Sequence, residues 1–216
     1  IADTKGYKKP IFTASMMVGV IGCAALSVPT SWVVFLAVFV IAKVGFSSSL
    51  IFCDAMLSDV TTSDRMDMVS SHGYAWGYIG SCIPFVISLI FVLGNEAIGI
   101  SMGTAMTIAF VLNAGWWLVA TLPLLKNYEQ KNYVEKQKHV IRSSFGRLVK
   151  TFKEIKQYKK IFVFLLAFFF YIDGVYTIIE MATAYGSSLG LDATGLLLAL
   201  LVTQIVAFPF ALIFGR

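Results

Sequence analysis

Apolar residues in this chain gather into six runs separated by polar joints, at about 11–27, 30–53, 73–94, 103–125, 160–185 and 191–214. A run of about 20 residues, rising 1.5 Å per residue as a helix, crosses the roughly 30 Å hydrocarbon core of a bilayer. The pattern predicts an all-α, polytopic membrane protein with about six transmembrane helices. One long polar stretch, 126–160, interrupts the series. Its first part, "KNYEQKNYVEKQKHV", has no apolar period. Its second part places Phe145, Leu148, Val149, Phe152 and Ile155 at helical spacing, with Arg147, Lys150 and Lys153 largely off that stripe. This predicts an amphipathic helix lying on the inner membrane face, with a basic extension of the next span as the alternative.

Composition agrees with the pattern. The chain is 58% apolar and 13% charged, where a soluble domain carries roughly 45–50% and about 25%. The net charge of +5 follows membrane topology and gives no sign of nucleic acid. The joints "SVPT", "GNEAIGISMG" and "GSSLGLDAT" lack Lys and Arg, whereas "IADTKGYKKP" has three Lys, the 54–72 loop has Arg65, and 126–160 carries eleven basic residues. By the positive-inside rule, both chain ends and the 54–72 and 126–160 loops are cytoplasmic. Cys23, Cys53 and Cys82 lie in or beside apolar runs without CxxC spacing, so they read as small apolar residues. The chain begins with Ile and shows no cleavable signal peptide, and it is expected to start partway through a longer protein.

Small residues recur every fourth position in the last run, at Gly195, Ala199, Thr203, Ala207, Ala211 and Gly215, and the third run opens with Gly73, Gly77 and Ser81 at the same spacing. Such stripes let helix backbones approach closely and predict a helix interface. Pro84 and Pro209 fall inside apolar runs, where proline commonly kinks a membrane helix.

Charges at depth are costly and point to function. Lys43 lies about 13 residues from the outer end of its run, and Asp173 about 13 from the inner start of its own, so each is about 20 Å deep. Two groups at one depth are expected to pair if their helices face each other. Asp173, Tyr176, Thr177 and Glu180 form one polar stripe, and Lys43, Ser47 and Asp54 form another; both are expected to border a water-filled space. A static ion pair is the structural alternative for Lys43 and Asp173, a solvated helix end for Glu180, and a cytoplasmic helix cap for Asp54. His72 and His139 fall in loops, and no Ser/His/Asp, Cys/His, HExxH or phosphate-cradling pattern is present. "GYAWGYIG" opens a span and follows no strand, so it carries no nucleotide signal. Neither an enzyme nor a metal or cofactor site is expected.

"IADTKGYKKPIF" resembles the cytoplasmic loop motif of the major facilitator superfamily, G-x-x-x-D-x-x-G-R-[RK], through Asp3, Gly6, Lys8 and Lys9, with Tyr7 where Arg is commoner. "DRMDMVSSHGYAWGYIGS" and "FFFYIDGVYTIIEMATAYGSSLGL" are similar to the vacuole-effluxer branch and its bacterial relatives of uncertain substrate. Arg65, Ser70, Ser71, Gly73, Tyr74, Ala75, Gly77, Tyr78 and Gly80 carry the first match, and Tyr171, Asp173 and Gly174 the second.

The resemblance implies a fold of about twelve helices, of which this chain holds the third to eighth. Residues 1–125 would give four helices of the N-terminal half, 126–160 the cytoplasmic linker, and 161–216 the first two helices of the C-terminal half. It implies a secondary active transporter working by alternating access on a small polar solute, with amino acids and a coupling proton among the candidates. Lys43, Ser47, Asp173, Tyr176, Thr177 and Glu180 would line the pathway. Asp3, Gly6, Lys8, Lys9, Asp54 and Arg65 would form a cytoplasmic gate, and Gly73, Gly77, Gly195, Ala199, Thr203 and Ala207 a helix interface. The expected partners are the bilayer, the solute and a coupling ion. The expected membrane is the inner membrane in a bacterium and the vacuolar membrane in a eukaryote. The alternative function is a non-transporting scaffold or sensor.

Overall fold

In lipid the backbone's polar groups must be satisfied within the segment, so long apolar runs become helices. The computed structural model describes residues 2–28, 31–135, 146, 149–151, 153–155 and 157–215. All six predicted runs are helical: α1 (Lys8–Ala25), α2 (Trp32–Val60), α3 (Met66–Leu93), α5 (Met102–Asn127), α6 (Lys159–Ser188) and α7 (Ala193–Phe214). A single-turn helix, α4 (Asn95–Ile98), lies in the joint after α3. Five helices, α2, α3, α5, α6 and α7, are long and apolar enough to cross a membrane. The remaining one, α1, has 18 residues and opens on Lys8 and Lys9. Of the predicted amphipathic segment, Phe145, Arg147, Leu148 and Phe152 lie outside the described residues, while Val149–Thr151 and Lys153–Ile155 are helical.

Two boundaries differ from expectation. The second span runs on to Val60 and the third starts at Met66, which leaves a short connection containing a 3-10 turn, Ser63–Arg65. Polar helix ends, "DAMLSDV" and "MDMVSSH", carry both helices past their apolar stretches. As a result His72 belongs to α3 and not to a loop, and Asp54 lies within α2 and caps nothing.

The chain divides into two compact units, Ala2–Glu135 with Leu201–Arg216, and Lys136–Leu200. In the first, α1 packs against α2 and α5, and α3 packs against α5. Glycine sets the α1–α2 distance. A Cβ built on Gly45 would lie 2.5 Å from the Gly19 amide nitrogen and 2.9 Å from the Ser15 carbonyl oxygen, and one on Gly22 would lie 2.7 Å from Ala42 Cβ. Met16, fully buried, centres a cluster with Val20 and Ala114. The Phe46 and Trp117 rings meet edge-on, with centroids 5.6 Å apart. The end of α7 lies antiparallel along α3: Gln204 meets Ser81, the Phe208 ring meets Trp76, and Gly215 abuts Ser71.

In the second unit, α6 turns into α7 through Gly190, whose φ of 79° lies in the left-handed region that favours glycine. Asp192 then caps α7, accepting the Gly195 amide at 2.9 Å. A Cβ on Gly186, the buried residue of α6, would meet Leu196 Cδ2 at 2.6 Å.

Candidate functional site

A buried polar network joins α1, α2 and the chain following α5. Lys8, the first residue of α1, points its ammonium at Asp59 near the end of α2. Nζ lies 2.8 Å from Asp59 Oδ2 and donates to the Ala55 carbonyl at 3.2 Å. Their side chains are 3% and 0% exposed, so the charges are tolerable only as a pair with further hydrogen bonds. Tyr128 supplies one, its hydroxyl donating to Asp59 Oδ2 at 2.5 Å. The Asn132 amide supplies another, to Oδ1 at 2.7 Å, and Asn132 Nδ2 donates to the Ser58 carbonyl. The carboxylate is thus met on both oxygens. Beneath it Phe12, Met56 and Tyr128 form an apolar floor with Phe52, Leu124 and Leu125.

The network extends to the chain's first residues. Asp3 Oδ1 stands 3.9 Å from Lys8 Nζ, and the Gly6 amide donates to Gln130 Oε1 at 2.9 Å. Thr4 and Val134 form a parallel bridge, and the Lys5 ammonium lies 4.9 Å from the Tyr133 ring centroid. Burial first, and then the bond to Asp59, raise the Tyr128 phenol above its ordinary pKa, so it stays a donor. Tyr128→Phe should cost about 1.5–3 kcal/mol, the value of a hydrogen bond to a charged group. Thermal unfolding of the full-length protein in detergent reads this, and an unchanged transition would remove Tyr128 from the network.

Within the same unit, residues of α1, α2, α3, α5 and α7 line an open cavity of about 830 Å³. Its walls are strongly aromatic, with Phe39 and Phe46 from α2, Trp76 and Phe85 from α3, and Trp116 and Trp117 from α5. Lys43 lines it, half-buried, with its ammonium 5.8 Å from the Phe46 ring centroid. The polar lining includes Ser81, Asn113 and Gln204. The Ser81 hydroxyl lies 2.5 Å from Gln204 Oε1, and Asn113 donates to the Ala109 carbonyl and Ser88 Oγ at 2.8 and 3.1 Å.

The predicted site residues divide among these features. Asp3, Gly6 and Lys8 meet in the network; Lys9 is half-buried beside it, and Asp54 and Arg65 are exposed outside it. Lys43 and Gly77 line the cavity, while Ser47 lies on α2 outside the lining. Asp173, Tyr176, Thr177 and Glu180 are exposed on α6, in the other unit. Among the interface residues, Gly195 and Ala199 lie in that second unit and Thr203 and Ala207 in the first. A Cβ on Gly73 or Gly77 would meet nothing within 4 Å. Sequence reasoning did not single out Asp59, Tyr128, Gln130 or Asn132. One signal was available: Phe52, Met56 and Asp59 stand at i, i+4 and i+7, which places a carboxylate on an apolar face.

Comparison with known proteins adds two findings. The family model described as "Vacuole effluxer Atg22 like" matches residues 1–216. The chain is also similar to an uncharacterized MFS-type transporter, YxiO, of Bacillus subtilis (strain 168), 44% identical over 220 residues. That alignment covers 100% of this chain and 51% of the relative, so the chain spans about half the length of the curated relative it matches. No solved structure matches it.

Proposed function

This chain belongs to the Atg22-like vacuole-effluxer family, and on that premise we propose that the protein containing it is a secondary active transporter working by alternating access. The observation that carries the reading is the 830 Å³ cavity with the Lys43 ammonium on its wall. A cation held in a membrane-spanning helix is costly and, whatever it pairs with, marks a solute or ion path by default. Residues 1–125 and 161–216 belong to two halves that rock about a central site, a design common to transporters built from repeats. The 126–160 segment and both chain ends are cytoplasmic, and the membrane is the inner membrane in a bacterium.

The solute is small and carries a carboxylate that Lys43 engages; amino acids fit this description. Asp173 takes the amine or the coupling proton, with Tyr176, Thr177 and Glu180 on the same stripe and Ser47 beside Lys43. The latch of Asp3, Gly6, Lys8 and Asp59 holds the cytoplasmic end shut in one half-cycle, with Lys9, Asp54 and Arg65 at its margin. Gly73, Gly77, Gly195, Ala199, Thr203 and Ala207 serve helix contacts that change during rocking. The test is amino-acid flux in proteoliposomes of the full-length protein under an imposed pH gradient. Asp173→Asn should lower gradient-driven flux at least tenfold. Undiminished flux with unaltered pH dependence would end the Asp173 assignment, and absence of flux with partner binding intact would favour a scaffold.

A further inference from the structure

The cavity is open, and Trp76 on its wall is 66% exposed, so water reaches it and screens charge. Hydrogen-bonding groups of fixed direction select a solute there by geometry, and two amides on the wall each have one side unused. Gln204 of α7 is the first. The Ser81 hydroxyl stands 2.5 Å from its Oε1. That separation suits O–H···O and is shorter than the N–H···O range. The oxygen is therefore the atom held, and the amide N–H groups are left as donors without a partner among the described residues. The Ser81 proton is available for this bond because the Tyr78 carbonyl, 2.8 Å from Ser81 Oγ, is also met by the Cys82 thiol at 3.3 Å.

Asn113 of α5 is the second amide, and it is turned the other way. Its nitrogen lies 2.8 Å from the Ala109 carbonyl, which only accepts, and 3.1 Å from Ser88 Oγ. Both N–H groups are thereby used, and Oδ1 is left as an acceptor without a partner among the described residues. Serines of α3 hold both amides. Ser81 and Ser88 stand at i and i+7, two turns apart on one face, which spaces the anchors by about 10 Å. Two hydrogen bonds of about 3 Å each fill most of that span and leave about 4 Å between an acceptor and a donor on the solute. A carboxylate and an amine carried on one carbon meet that spacing.

We propose that Gln204 and Asn113 are the specificity-determining pair of this cavity. Gln204 donates to a carboxylate oxygen of an α-amino acid, Asn113 Oδ1 accepts from its amine, and Ser81 is the positioning residue for Gln204. This inference deepens the transport reading and rests on it only for physiological role. It asks nothing of the Lys43 charge, and with the amine on Asn113 it leaves Asp173 to the coupling proton.

The experiment is isothermal titration of the full-length protein in detergent with L-phenylalanine, 3-phenylpropionate and 2-phenylethylamine. The three share one ring, so contacts with the aromatic wall cancel; the second lacks the amine and the third the carboxylate. Gln204→Leu should weaken L-phenylalanine and 3-phenylpropionate by about threefold to tenfold, the value of one hydrogen bond at a wet site, and leave 2-phenylethylamine within twofold. Asn113→Leu should weaken L-phenylalanine and 2-phenylethylamine to the same degree and leave 3-phenylpropionate within twofold. Ser81→Ala should lose part of the 3-phenylpropionate binding, and Ser81→Thr should restore it. If either leucine variant fails to fold, Gln204→Glu and Asn113→Asp keep the shape of the side chain and decide the question: each should weaken 3-phenylpropionate and tighten 2-phenylethylamine. Equal losses across the three probes would overturn the proposal, since damage to packing alone does not distinguish them. Absence of binding by all three would overturn it too. The expected pattern without flux in proteoliposomes supports the pair and removes the transport reading. Amino-acid flux with all three probes indifferent to Gln204 and Asn113 does the reverse.

Discussion

Asp59→Ala should destabilise the full-length protein by about 3–5 kcal/mol, the cost of removing one partner from a buried ion pair. The Lys8 ammonium would stay at the head of α1 with its side chain 3% exposed. Its remaining neighbours would be the Ala55 carbonyl and the Asp3 carboxylate at 3.9 Å. The Tyr128 hydroxyl and the Asn132 amide would lose their acceptor as well. Asp59→Asn should fall between the extremes, since an amide oxygen still accepts from Tyr128 but brings no charge. The combined change Lys8→Met with Asp59→Ala should recover much of the loss, because no uncompensated charge is then buried. Thermal unfolding in detergent measures all three, and each kcal/mol shifts the midpoint by at most about 2–4 °C, the shift for 150–250 residues, and by less in a longer protein. A double variant no better than Asp59→Ala would show that the ion pair is not what holds these elements together.

Gly45→Val should separate α1 from α2. A Cβ at this position reaches the Gly19 nitrogen and the Ser15 carbonyl oxygen, which are backbone atoms and cannot rotate aside. Overpacking of this kind costs about 1–3 kcal/mol even where side chains can yield, and the upper end or beyond is expected here. Gly73→Ala is the matched control: its new methyl group meets nothing within 4 Å, and alanine is about 1 kcal/mol better than glycine within a helix. The expected outcome is a lower unfolding midpoint for the first variant and an unchanged or higher one for the second. Equal effects would show that the α1–α2 contact does not limit stability.

The contrast between these glycines marks how far the sequence could be read. Gly73 and Gly77 have the spacing of a helix interface, and so does the run Ser15, Gly19, Cys23. Close approach at Gly19 depends on which helix lies opposite, and periodicity within one helix carries no such information. The helices themselves were legible because an apolar run in lipid has few alternatives to helix. Their ends were less so, since α2 and α3 continue through polar residues that hydropathy assigns to a loop. In the latch, Asp3, Gly6 and Lys8 stood out as a local motif. Asp59 lies 51 residues from Lys8 and Tyr128 a further 69 from Asp59, so only folding brings them together. The cavity followed the same rule: Lys43 was conspicuous as a charge in an apolar run, whereas Trp76, Trp116, Trp117 and Gln204 became one wall only once α3, α5 and α7 were placed.

The Lys8–Asp59 pair also resolves a conflict within each helix that contributes to it. A helix carries roughly half a positive charge at its N-terminus and half a negative charge at its C-terminus, worth about 0.3–1 kcal/mol for a charge near either end. The first turn of α1 holds two lysines and no acid, and the last turn of α2 holds Asp59 and no base. Each helix alone therefore carries a charge that its own dipole opposes. When the two ends meet, the ammonium screens the carboxyl end of α2 and the carboxylate screens the amino end of α1. A pairing shifted by one helical turn, about 5.4 Å, would restore both penalties. The wrong-signed ends thus act as a register key, giving the hairpin of α1 and α2 one preferred alignment.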